Sequence, residues 1–130
     1  MAGSEIPKKQ LFESILADDL AQLTALLAQG GDANAVHRCE SSLFEKMGLG
    51  HCTDAFAPLL VVAAGLGHAD MVAALLDHGA EVGKRAHYWS YVVVSANEQT
   101  KFPAGNALEA ATRKKHRDVI EVLKAHGAAD

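Results

Sequence analysis

The chain has 130 residues, 49% hydrophobic and 22% charged, with a net charge of −4. That size and balance fit one folded domain with a real core, and the acidic sign argues against nonspecific binding to nucleic acid or an acidic membrane. No apolar run nears the roughly 20 residues of a membrane span, and "MAGSEIPKKQLFESILADDL" turns polar and acidic too soon for an export signal, so a reducing cytoplasm is expected for its two cysteines.

Residues 8–34 are expected to form a first helix pair, with Leu23, Leu26 and Leu27 as one apolar stripe at helical spacing. Asp18 and Asp19 stand at the break, where carboxylates favour the start of a helix. Gly30 closes the pair, as suits a helix end that needs a left-handed residue.

An insert follows over 35–56. Its "CESSLFEKMGLG" reads as a short helix, capped by Ser41 or Ser42, with Leu43, Phe44 and Met47 on its apolar side. Gly48 and Gly50 end it. The insert also holds His37, Cys39, His51 and Cys52. Two His and two Cys make a tetrahedral zinc set, but the spacing lacks a C-x2-C knuckle and ends in an adjacent His-Cys. Ordinary loop cysteines are the favoured reading over a metal site or a Cys39–Cys52 disulfide, so no metal and no cofactor is expected.

A second helix pair spans 57–83, with Val72, Leu75 and Leu76 as its stripe and Gly79 as its close. Small Ala63 and Ala64 let its helices approach. The second insert, 84–104, contains "AHYWSYVVVS", rich in aromatic and β-branched residues, then "SANEQ" as a turn and "TKFPAG" as a return leg. It predicts an elongated β-hairpin. Tyr88, Val92 and Val94 would share one face, and Trp89, Tyr91 and Val93 the other. A third pair spans 105–130. "RKKHR" joins its helices, Lys124 stands at a stripe position, and Gly127 closes it.

The closing glycines Gly30, Gly79 and Gly127 lie 49 and 48 residues apart. Leu60, Ala63, Ala64, Gly67, His68, Val72, Leu75, Leu76, Gly79, Ala80 and Val82 resemble the ankyrin repeat. The third unit matches at Leu108, Ala111, His116, Ile120, Leu123, Gly127 and Ala128, and the first at Leu11, Leu26, Leu27, Gly30, Asp32 and Asn34. The family's opening T-P-L-H turn is degraded throughout. The resemblance implies an all-α solenoid of three helix pairs with long inter-repeat inserts, in a single domain over 1–130. It makes His68 and His116 structural. It also implies protein binding through a concave face and the projecting junctions, since such arrays bind other proteins.

Six of seven aromatics lie in the inserts, where a core-building role would have scattered them through the helices. Tyr and Trp also dominate binding hot spots. The expected partner-binding residues are therefore Tyr88, Trp89, Tyr91 and Phe102, with Phe44 and Met47 behind them; packing of each insert on itself is the competing reading. No nucleophile, zincin or phosphate-loop motif appears, so an enzyme is not expected. The expected function is non-catalytic protein binding by a monomer, in one version as an inhibitor or immunity-type protein. A metal- or small-ligand-binding protein and a self-associating homodimeric module are the alternatives. The short chain and degraded turns look bacterial.

Overall fold

The computed structural model describes residues 7–49, 54–91 and 99–128, with backbone only at 54, 89–91 and 99–103. Three helix pairs stand where the repeats predict them. They are α1 (Lys8–Leu16) with α2 (Leu20–Ala28), α4 (Leu59–Leu66) with α5 (Ala69–Asp77), and α6 (Ala107–Arg113) with α7 (Arg117–Ala125). Between them lie β1 (Val36–Cys39), α3 (Ser41–Lys46), β2 (Asp54–Pro58), β3 (Arg85–Tyr91) and β4 (Gln99–Asn106).

The expected all-α solenoid is therefore corrected to a mixed α/β fold. The two inserts join in one four-stranded antiparallel sheet, in the order β1-β2-β3-β4. The physical reason is hydrogen-bond demand. An insert that packs on a core must pair its backbone N–H and C=O groups, and two neighbouring inserts do so by pairing with each other. The hairpin expected in the second insert is present as β3 and β4. Its turn, and Val92, Val93 and Val94, lie outside the described residues.

The repeat extends to backbone geometry. Asp18, Gly67 and Lys115 each take positive φ (55°, 83°, 60°) just after the first helix of their pair. Gly30, Gly79 and Gly127 do the same after the second, at 103°, 91° and 98°. Asp19, His68 and His116 then occupy matching cap positions at the starts of α2, α5 and α7. Asp19 caps α2 by accepting from the Gln22 amide at 3.1 Å. His116 donates from Nε2 to the Gly65 carbonyl at 3.2 Å, tying the third unit to the second.

Stacking decides which faces are buried. The first helices α1, α4 and α6 pack in one row, with α4 central, and α2, α5 and α7 pack in another. Residues Leu59 to Gly65 of α4 are all buried, matching its apolar composition on every side. In α7 the buried residues are Val119 and Leu123, and Lys124 is exposed. Asn34 bridges the first two units: it donates to the Gly79 carbonyl at 3.0 Å and accepts from the Glu81 amide at 2.7 Å. The corresponding position of the second unit is Gly83, which has no side chain to repeat that bridge. Among the described residues, no helix is long and apolar enough to cross a membrane.

The α3 segment seats on the helices. Met47 lies against Gly65 of α4, Gly48 against Arg113 and Lys114 at the end of α6, and Leu49 against Gly105. A Cβ at Gly65 would lie 2.7 Å from the Met47 Cβ and 3.2 Å from its Cα. Gly→Ala inside a helix normally stabilises by about 0.5–1 kcal/mol. At Gly65 the sign should reverse, because overpacking costs about 1–3 kcal/mol. Urea denaturation of Gly65→Ala should show a net loss near 1 kcal/mol; a gain would mean that α3 is not seated on α4.

Candidate protein-binding surface

The sheet has two unlike faces. Cys39, Ala55, Ala57 and Ala86 are fully buried. They alternate along their strands and share the face toward the helices. Small side chains there let the sheet approach the helical core closely. The opposite face carries a row running through all four strands: Arg38 opposite Phe56, Phe56 opposite His87, and His87 opposite Pro103. The Phe56 and His87 rings stack, 5.3 Å apart and 13° from parallel. Arg38 is exposed, while Phe56 and His87 are half-buried.

At the β1 edge this face meets a groove of about 520 Å³, lined by Phe12, Leu16, His37, Arg38, Glu40 and Leu43. It lies between α1, β1 and α3. The Phe12 and His37 rings stack across it at 4.1 Å. His37 is held there by a 2.7 Å contact between Nδ1 and the Arg38 carbonyl, with the ring nitrogen donating. Leu16, at 44% exposure, is the exposed large hydrophobic residue among those described. The groove thus has an apolar floor and a charged rim at Arg38 and Glu40.

The expected site residues fall into three groups. Phe44 and Met47 are fully buried. The apolar side of α3 turns toward the core, so neither presents a surface to a partner. Tyr88 is half-buried and packed against the core. It pairs with Ala55 on one side and Phe102 on the other. Trp89 pairs with Asp54 and Lys101, and Tyr91 with Gln99. The side chains of Trp89, Tyr91 and Phe102 lie outside the described residues. From sequence, none of Leu16, Phe12 and His37 is expected on a partner surface; His37 enters only in the candidate metal set. Phe12 and His37 are 25 positions apart in sequence and meet only through the fold.

Of the candidate metal set, His51 and Cys52 lie outside the described residues. Cys39 is a free thiol. Burial pushes it up to about 12, partly offset by a backbone hydrogen bond at Ala57. Among the described residues, no three His, Cys, Asp or Glu side chains gather where an ion could sit.

No protein-family model matches this chain, and no curated protein matches it.

Proposed function

We propose that this chain is a non-catalytic protein-binding module. In this reading its three helix pairs are ankyrin-like units, and the sheet built from the inserts is the contact wall. The observation that carries the reading is the groove at the β1 edge, where Leu16 stays exposed beside Phe12 and Leu43 within a rim of Arg38 and Glu40. The Phe56–His87 stack extends it across the outer sheet face. An apolar-lined groove with a charged rim, rather than the exposed Leu16 by itself, is what supports this reading.

Site-specific photo-crosslinking tests this. A benzophenone side chain would be placed at position 16, at position 56, and at exposed position 121 on α7 as a control. One protein from the source lysate should be captured from 16 and 56 and not from 121. Leu16→Glu should weaken that complex at least about ten-fold while leaving the fold intact. Equal capture from all three positions, or an unchanged affinity for Leu16→Glu, would remove the groove from the account.

A further inference from the structure

Charge is segregated along the chain. Residues 1–83 carry four Lys or Arg against eleven Asp or Glu, a net of −7. Residues 84–130 carry eight against five, a net of +3. The basic excess is concentrated in part at one place in the fold. A pocket of about 380 Å³ lies between β3, β4 and α6, and its walls include Leu49, Arg85, Tyr88, Gly105 and Arg113.

Two guanidinium groups are held in it by one nitrogen each. Arg85 uses Nη1 for the Glu109 carboxylate, at 2.7 Å, and for the Ala104 carbonyl, at 3.0 Å. Arg113 uses Nη1 for the Gly48 carbonyl at 3.0 Å. The Nη2 and Nε donors of both make no hydrogen bond among the described residues. Glu109 also lines the pocket, but its charge is met by Arg85 and it completes a capping box with Asn106 at the start of α6. Arg113 then leaves the pocket with a net positive charge. Gly48 sits beside the Arg113 Cβ and the Lys114 side chain.

We propose that this pocket receives a carboxylate side chain from an acidic segment of the protein partner. The inference rests on the protein-binding reading above and names the chemistry of the partner. The planar fork of arginine matches a carboxylate through two parallel N–H···O bonds. Anchoring each guanidinium through Nη1 orders it in advance, so less entropy is lost on binding. The half-buried Tyr88 and the buried Leu49 supply an apolar wall for the stem of a Glu side chain. Gly105 lets Leu49 seat in that wall, because a Cβ there would lie 2.6 Å from the Leu49 side chain.

The test is an NMR titration of the full-length, nitrogen-15-labelled protein with a capped hexaglutamate peptide. A hexauridylate oligonucleotide is the second probe. The peptide should give saturable shifts centred on Leu49, Gly105 and Arg113. Arg113→Gln should weaken its binding about ten-fold, with an otherwise unchanged spectrum, while Lys8→Gln, the same charge change on α1, leaves binding as it was. Arg113→Lys, which keeps the charge and loses the fork, should fall between them. Shifts spread over the whole surface, equal weakening by Lys8→Gln, or tighter saturable binding of the oligonucleotide at the same amides would each overturn the proposal. The crosslinking from positions 16 and 56 is read separately. A partner captured there with no peptide response at the pocket would sink this inference and leave the module reading standing.

Discussion

Phe44→Ala should lower the unfolding free energy by about 3–5 kcal/mol, the usual loss for truncating a fully buried aromatic ring. Phe44 has no exposed surface and heads the largest fully buried side chains of the described core. Its helix α3 has only six residues, too short to hold its shape alone, so its order depends on this anchor and on Met47. Losing the ring would also loosen β1 and β2, which flank α3 in sequence. With a typical domain stable by only about 5–15 kcal/mol, the variant should sit near the limit of folding at 37 °C. Urea unfolding followed by circular dichroism measures the change. A loss under about 0.5 kcal/mol would show that Phe44 is a surface residue, and the partner-binding role expected from sequence would return.

The second large effect is alkaline. The Cys39 thiol starts from an ordinary value of 9.0 and is pushed up to about 12 in the folded chain, chiefly by burial. In the unfolded chain it ionises first, so between those values the unfolded state holds fewer protons. Stability is then fully retained below about pH 9, falls as pH rises, and the contribution is gone above about pH 12. The folding equilibrium constant should drop by about ten-fold per pH unit within that window from this one group. Lysines and tyrosines titrate there too, so the informative quantity is the difference between wild type and Cys39→Ala. The variant should lose less stability between pH 9 and 11. Parallel curves would mean that Cys39 is hydrated rather than sealed under the sheet. A thiol reagent at pH 8 should likewise modify Cys39 only after denaturant opens the fold.

The helix pairs were legible because each rests on a local signal. Leu23, Leu26 and Leu27, or Val72, Leu75 and Leu76, repeat at helical spacing, and a closing glycine marks each end at a constant interval. The hairpin of the second insert was legible for a similar reason: "YWSYVVV" has strong strand chemistry. The strands of the first insert were not. "VHRC" and "DAFAP" contain only Val36 and Phe56 of strand-favouring type. They are strands because β2 pairs with β1 on one side and with β3 on the other, and the Ala55–Tyr88 register joins residues 33 positions apart. No short window of sequence holds that information. Pro58 does leave a trace: it has no N–H to give, and the ladder between β2 and β3 stops short of it.

The candidate surface was legible in part for the same reason. Periodicity showed that Leu43, Phe44 and Met47 share one side of a helix, but not whether that side meets the core or a partner. The answer came from Gly65 of α4, whose missing side chain leaves room for Met47. Leu16 gave no signal at all. It ends an ordinary helical run, and its exposure follows from where α3 and β1 lie relative to α1.

The contact wall exists only if β2 pairs with β3, so that the two inserts form one sheet. The Leu59 amide donates to the Ala35 carbonyl at 3.0 Å, so Ala35, His37 and Cys39 direct their backbone groups at β2, along with Ala55 and Ala57 from the other side. By alternation Asp54 and Phe56 direct theirs at β3, and Ala55–Tyr88 is a non-hydrogen-bonded pair with its α-protons close together. The measurement is a nuclear Overhauser spectrum of the free protein in deuterated water. A strong cross-peak between the α-protons of Ala55 and Tyr88 is the expected result. Its absence, with α-proton contacts confined within each insert, would contradict the joined sheet and the binding wall built on it.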